Sequence, residues 1–234
     1  AIALPGITPI GIDCHIGSQI LDIAPFTEAT QHLIQLLETL QSEGIVLQHI
    51  DLGGGLGIPY GTENAPKITD YVAALTQTLS AHNLTLILEP GRSIVAQAGV
   101  LLTEVMYLKS TPHKNFALVD AAMNDLLRPA LYGAWQDIVP IKEVHRNVKC
   151  WDVVGPVCET GDFLGKDRNL SLAQGDVLAV MTAGAYGFVM ASNYNTRPRS
   201  AEVMVDGGSA HLVRAREPLE TLWADECLLP EATL

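Results

Sequence analysis

The segment Leu86-Ile87-Leu88-Glu89-Pro90-Gly91-Arg92 carries a run of strand-forming apolar residues into a carboxylate, a turn and a guanidinium within four positions. A Pro-Gly pair halts a strand and lets backbone N–H groups turn toward an anion, while Glu89 and Arg92 bring opposite charges into one small space. For this tetrapeptide alone two readings stay open, a surface turn with a local ion pair or a strand end that binds a ligand. Two other apolar runs end in the same way. One leads into Cys14-His15-Ile16-Gly17-Ser18-Gln19 and the other into Asp51-Leu52-Gly53-Gly54-Gly55-Leu56-Gly57. Ligands of parallel α/β folds sit at the C-terminal ends of strands, so three polar strand ends in succession point to one pocket.

The chemistry of each piece narrows what that pocket holds. Gly53 and Gly55 fit the first two positions of a dinucleotide fingerprint, but Ile58 and Pro59 stand where a glycine and a helix start belong. A loop without side chains that offers N–H groups to a single phosphate fits better, with a plain tight turn as the alternative. His15 is either a satisfied buried histidine or a ring laid against a flat cofactor, with Ser18 donating to phosphate. A carboxylate such as Glu89 facing a pyridine nitrogen would favour the protonated, electron-accepting ring. Further along, Arg128-Pro129-Ala130-Leu131-Tyr132 sets a fork-shaped cation near a phenol, as a clamp for a carboxylate or as an exposed Arg beside a core Tyr. Gly155 to Asp162 places the Cys158 thiol beside Glu159 and Asp162, suited to proton transfer and to an ammonium group, although a lone Cys is usually a small buried hydrophobe. Gly184-Ala185-Tyr186-Gly187 offers another phenol, for phosphate or as an ordinary turn residue.

These groups need elements to position them. Ile10 to His15 reads as a short strand. Phe26, Ala29, Leu33, Leu36, Leu37 and Leu40 recur at helical spacing, with Pro25 in the first turn and Gly44 as the stop. Ile45 to Leu52 reads as a strand buried on both faces. Ile68, Tyr71, Val72, Leu75 and Leu79 mark a second amphipathic helix before the strand Leu84 to Leu88. The order β-α-β-α-β predicts parallel strands with helical crossovers. Beyond Ala96 the texture turns to β-rich segments, Val100 to Leu108, Phe116 to Val119, Val153 to Val157, Val177 to Met181 and Ala201 to Val205, as in an antiparallel β domain. The expected boundary divides 1–95 from 96–234. Three strands and two helices neither close a barrel nor complete a doubly wound sheet, so the first part is expected to be a portion of a larger domain.

Composition excludes several roles. With 26 acidic against 14 basic residues, the net charge of −12 repels nucleic acid and anionic membranes. The cysteines Cys14, Cys150, Cys158 and Cys227 show no metal or disulfide spacing, and no apolar run approaches the roughly 20 residues of a membrane span. A soluble protein of the reduced cytoplasm is expected. The start Ala1-Ile2-Ala3-Leu4, without methionine, reads as a processed, excised or truncated beginning.

Taken in order, His15 to Gln19, Gly53 to Gly57, Glu89 to Arg92, Asn124 to Tyr132, Cys158 to Asp162 and Gly184 to Gly187 resemble the pyridoxal-phosphate-dependent decarboxylases of alanine-racemase-like fold. Val119 to Asp125 and Gly161 to Gly165 favour the diaminopimelate decarboxylases among them over the ornithine or arginine enzymes. The resemblance spans essentially the whole chain. It implies an α/β plus all-β fold, the C-terminal part of a (β/α)8 barrel followed by an antiparallel β domain. The implied reaction is decarboxylation of meso-2,6-diaminopimelate to L-lysine and CO2, with pyridoxal 5'-phosphate as cofactor. By motif match His15 would stack on the cofactor ring and count with Cys158 among the catalytic residues, and Glu89 would face the ring nitrogen. Ser18, Gly55, Gly91 and Arg92 would hold the phosphate region, with Gly54 and Pro90 also binding the cofactor and Tyr186 near both cofactor and substrate. Arg92, Arg128, Tyr132 and Glu159 would bind substrate, and Cys158 would donate the proton. Cys158 and Glu159 would reach the partner's active site in a homodimer. Thr160 stands where relatives commonly have Ser, and it keeps the hydroxyl.

One expected group has no counterpart. The family attaches its cofactor through a lysine on an early barrel strand, in a Tyr-x-x-Lys-like context. The lysines present, Lys67, Lys109, Lys114, Lys142, Lys149 and Lys166, lie outside any such strand end. The chain alone is therefore expected to be inactive and to hold cofactor weakly. The rivals are a decarboxylase of another basic or diamino acid, and a non-catalytic relative that pairs with and regulates an active enzyme.

Overall fold

The computed structural model describes residues 1–142 and 147–229. By compactness the chain divides into two units, Ala1–Ala96 and Gln97–Leu234.

In the first unit, β1 (Gly11–Asp13), β2 (His49–Asp51) and β3 (Thr85–Ile87) form a parallel sheet in that order, in register at Ile12, Ile50 and Leu86. Helix α1 (Ala24–Ser42) joins the first pair and α2 (Ile68–Leu79) the second, which is the connection parallel strands require. Pro25 sits in the first turn of α1, and Gly44 just past its end adopts φ +84°, a conformation open to glycine. Phe26 and Leu33 of α1, Tyr71, Leu75 and Leu79 of α2, and Ile50, Leu52 and Leu56 form the core. The Phe26 and Tyr71 rings meet edge to face, centroids 4.9 Å apart.

Period-two alternation sends Ile12, Ile50 and Leu86 to this helix-covered face, and Gly11, Asp13, His49, Asp51, Thr85 and Ile87 to the other. The strand expected over Ile45 to Leu52 is corrected on two counts. Its ladder spans only His49–Asp51, and it is not buried on both faces, since Ile50 is fully buried whereas His49 and Asp51 on the opposite face are only half-buried. Both helices pack on one side of the sheet, so only alternate residues are covered. Beyond β3 the chain turns through the short helix α3 (Arg92–Val95).

The second unit is built on a six-stranded sheet. Its strands are β4 (Leu101–Ser110), β5 (Asn115–Val119), β6 (Ile138–Pro140), β7 (Lys149–Val154), β8 (Phe163–Leu170) and β9 (Val177–Val180), with a single helical turn α4 (Arg128–Tyr132) between β5 and β6. The order is β6-β9-β4-β5-β7-β8, antiparallel throughout except that β5 and β7 run parallel. The outermost strands approach each other, as a Cβ added to Gly165 of β8 would lie 2.9 Å from Ile138 Cδ1 of β6. Val105, Val119, Leu126, Val153, Leu164, Leu178 and Val180 fill the interior. Arg168 is buried beside them with its guanidinium over the Trp135 ring, 3.2 Å from the centroid, and burial lowers its pKa. A separate antiparallel hairpin pairs β10 (Glu202–Asp206) with β11 (Ser209–Arg214). No helix among the described residues is long and apolar enough to cross a membrane.

Candidate functional site

The three strand ends of the first unit come together through backbone. Each strand hands a hydrogen bond to its neighbour past the ladder, Cys14 N–H to Asp51 O (3.0 Å), Leu52 N–H to Ile87 O (3.2 Å) and Glu89 N–H to Gly53 O (2.8 Å). The glycine run lies between the other two ends with almost no room to spare. A Cβ on Gly53 would stand 2.7 Å from His15 Nδ1, one on Gly54 2.4 Å from Glu89 O, and one on Gly55 2.2 Å from Gly17 O. Gly55 also has φ +99°, which L side chains avoid. The Gly54 N–H donates to His15 Nδ1 at 3.3 Å, which orients the imidazole and leaves its proton on Nε2. Asp51 Oδ1 accepts the Gly53 N–H at 2.8 Å, closing the turn from below.

Arg92, in the first turn of α3, reaches back over this floor. Its Nη2 donates to Ser18 Oγ at 3.2 Å, its Nη1 donates to Tyr60 Oη, and the guanidinium carbon lies 5.6 Å from the Tyr60 ring centroid. Tyr60 is buried, and Glu63 accepts the Tyr60 and Gly61 N–H groups, at 3.2 and 2.6 Å. Backbone hydrogen bonds, its own N–H first and then that of Gly61, hold the Glu63 carboxyl below its usual range. Thus His15, Ser18, Gly54, Gly55, Glu89, Pro90, Gly91 and Arg92 share one end of one sheet. Glu89 is exposed, and its carboxylate makes no hydrogen bond or ion pair with described residues, so the local ion pair with Arg92 is not formed. A basic group held near a side-chain-free floor, with a hydroxyl and a free carboxylate beside it, can seat a phosphate and a ring nitrogen. Of the six lysines, Lys67 precedes α2 in the first unit and the other five belong to the second unit, so none stands on β1, β2 or β3.

In the second unit the segment 155–162 forms a turn that presents Cys158 and Glu159 to solvent. Asp162, only 4% exposed, anchors it. Its Oδ1 accepts the Met123 N–H and its Oδ2 the Val157 N–H, both at 2.7 Å. A Cβ on Gly155 would fall 2.4 Å from Oδ2. Burial pushes the Asp162 carboxyl up, against the pull of those two N–H groups and of Arg197. Asp162 is therefore part of the scaffold, not one of two exposed carboxylates beside the thiol. Glu159 Oε1 accepts the Gly161 N–H at 3.2 Å, and its Oε2 accepts the Tyr194 phenol at 3.4 Å.

Arg197 ties the neighbouring loops together, donating to Asn124 Oδ1 (2.8 Å) and to Asp120 O (2.7 Å), with Asp125 Oδ2 at 3.7 Å. A cavity of about 270 Å3 opens here, lined by Met123, Asn124, Leu127, Ser192 and Tyr194. Arg128 and Tyr132 reverse the reading of an exposed Arg beside a core Tyr. Arg128 is buried at the start of α4, whereas Tyr132, at its end, is 65% exposed. Tyr186 is 41% exposed with φ +58°, between Ala185 and a Gly187 whose added Cβ would lie 2.2 Å from Ala183 O.

Several participants escaped the sequence reading. Tyr60 could have been flagged by its place after Gly57-Ile58-Pro59 on the same loop as the glycine run, and Tyr194 and Arg197 by the dense polar run Asn193 to Arg199. Asp120 and Asn124 stand in motifs that the sequence singles out, but their partner Arg197 lies more than 70 residues along the chain, which no local pattern discloses.

The model of the pyridoxal-dependent decarboxylase family, C-terminal sheet domain, matches residues 20–184. The chain is 58% identical to the diaminopimelate decarboxylase of Vibrio cholerae over 232 residues, 99% of this chain and 56% of that protein. Among solved structures it resembles the diaminopimelate decarboxylase of M. jannaschii in complex with L-lysine, with TM-score 0.91 and 41% identity over 94% of this chain and 52% of that one. The Helicobacter pylori enzyme complexed with L-lysine gives TM-score 0.87 and 44% identity, covering 92% of this chain and 54% of that one. The chain thus spans about half the length of the relatives it matches.

Proposed function

The chain belongs to the pyridoxal-dependent decarboxylase family, and we propose that the protein carrying it converts meso-2,6-diaminopimelate to L-lysine and CO2. The observation that carries this reading is 58% identity, extending over nearly every residue, to a diaminopimelate decarboxylase. The floor at Gly53 to Gly55, where any Cβ would collide with His15 or with a backbone carbonyl, fits the seat of a flat, phosphate-bearing group.

Pyridoxal 5'-phosphate supplies, when bound, a ring that accepts the electron pair released with CO2. In this proposal His15 lies against the ring and Glu89 takes the hydrogen bond of its nitrogen. Ser18, Gly55, Gly91 and Arg92 would hold the phosphate, Gly54 and Pro90 would also bind the cofactor, and Tyr186 would adjoin both cofactor and substrate. Arg92, Arg128 and Tyr132 bind the substrate carboxylates, Glu159 binds an ammonium group, and the Cys158 thiol gives its proton to the carbon that has lost CO2. No lysine of this chain stands in the early-strand context by which the family attaches its cofactor, so we assign the attachment to an amine outside these 234 residues. On that assignment the chain alone is inactive. The protein acts in the cytoplasm as a homodimer in which Cys158 and Glu159 serve the partner's site.

In the whole protein, Cys158→Ala abolishes product formation while the cofactor absorbance persists; unchanged turnover overturns the proton-donor role. Substrate profiling tests the rest, since faster turnover of ornithine or arginine than of diaminopimelate would refute the substrate assignment.

A further inference from the structure

The loop that carries Tyr194 is held in a conformation its residues resist. Asn195 and Thr196 have φ of +58° and +55° in succession. For an L residue that region costs about 1–2 kcal/mol, and a β-branched threonine is a particular outlier there. The surroundings impose it. Asn193 Nδ2 donates to Arg197 O (3.1 Å) and to Glu217 Oε2 (2.6 Å), bridging the loop from within and to a second segment. Arg197 is fixed by Asn124 and Asp120, and Ser192 N–H donates to Asn124 O at 2.9 Å. Backbone strain of this kind persists only where other contacts over-determine it, and it clusters at functional sites.

What the strain accomplishes is visible at the phenol. Tyr194 is half exposed, so burial does not explain its placement, and its hydroxyl ends 3.4 Å from Glu159 Oε2. The other oxygen of Glu159 is held by the Gly161 N–H. Glutamate has three side-chain torsions, and on an exposed turn its carboxylate would sample many directions. Two donors, one on each oxygen, fix its plane.

We propose that Tyr194 is a positioning residue for Glu159, orienting that carboxylate for the substrate's ammonium group and so setting affinity for a diamino substrate. This rests on the proposed role of Glu159 as a substrate contact. The cavity beside Tyr194, walled by Met123 and Leu127, gives adjacent apolar room for the methylene chain that carries the ammonium.

The test is a double-mutant cycle in the whole protein with diaminopimelate as substrate. Tyr194→Phe keeps the ring and removes the hydroxyl. It is expected to raise KM about three- to tenfold, the value of one long hydrogen bond to a charged group, with kcat nearly unchanged. In a Glu159→Gln background the same change adds nothing, because the charge it positions is gone. A raised KM in Glu159→Gln together with an unchanged KM in Tyr194→Phe overturns this inference alone, as do effects that simply multiply in the double variant. An unchanged KM in Glu159→Gln overturns the substrate reading of that residue and this inference with it.

Discussion

Asp162→Asn tests the scaffold under Cys158 and Glu159 with almost no change in volume. Both oxygens of the native carboxylate accept buried or half-buried backbone N–H groups at 2.7 Å, from Met123 and from Val157. A hydrogen bond to a charged group contributes about 1.5–3 kcal/mol, so the pair contributes about 3–6 kcal/mol before costs. Burial, the largest influence on the raised Asp162 pKa, opposes this, so the loss is counted at the donors, where a buried N–H left without a partner costs about 1–3 kcal/mol. Asparagine offers one acceptor and one donor. Whichever way its amide is turned, an NH2 group faces a backbone N–H, and one of the two donors is left without a partner. Asn is therefore expected to lose nearly as much as Asp162→Ala, contrary to its usual standing as the mild replacement. The assay is hydrogen exchange at the Met123 and Val157 amides in the whole protein, where about 1–3 kcal/mol corresponds to a roughly five- to hundredfold loss of protection. Protection in Asp162→Asn within threefold of the native protein would refute the reasoning, and equal retention by Asp162→Ala would show the carboxylate to be idle.

Three other perturbations follow from the same structure. Gly55→Ala forces a Cβ to within 2.2 Å of Gly17 O at a φ of +99°, and is expected to cost more than about 2 kcal/mol and to weaken cofactor binding, read by denaturant midpoint and by titration of cofactor absorbance. Leu75→Ala removes a side chain with no exposed surface from the core under the sheet and is expected to cost about 2–5 kcal/mol by chemical denaturation, with the spectroscopic signature of bound cofactor kept at low denaturant. The Glu217 carboxyl is held below its usual range first by the Arg199 N–H and then by Asn193 and the Arg199 side chain. Its folded pKa being depressed, the tie is fully present above the ordinary 4.5 and is lost as pH falls through the lower folded value. Exchange at the Arg199 amide should quicken on that acid side, and Glu217→Gln should remove the pH dependence.

The parallel half of the fold was legible because periodicity and punctuation agreed. Phe26, Leu33, Tyr71 and Leu75 repeat at helical spacing, Pro25 and Gly44 bracket α1, and each strand ends in residues that do not propagate a ladder. The strand over Ile45 to Leu52 was misjudged in extent and burial, since an unbroken apolar run does not say which of its residues a neighbouring layer will cover. In the site, the glycine run was readable as a floor without side chains, but the reason for three glycines together was not, because each answers to an atom thirty or more residues away. Arg128 and Tyr132 show the same limit. Four residues apart on one turn, they part company in burial, with the guanidinium inside and the phenol outside. The network of Asp120, Asn124, Arg197 and Asp162 joins segments 35 or more residues apart, and pairing over such distances is decided by the topology of the sheet.

The glycine floor also bears on how this protein can change. Gly53, Gly54 and Gly55 each fill a space whose opposite wall is His15, the Glu89 carbonyl and the Gly17 carbonyl, so the three strand ends are cut to one another like parts of a mould. Two of those walls are main chain, which no substitution can trim. Variation is therefore shut out of the floor and displaced to the side chains beside it, such as Ser18, Glu89 and Arg92. A lineage could change the groups that meet a ligand at these strand ends without ever touching the floor itself.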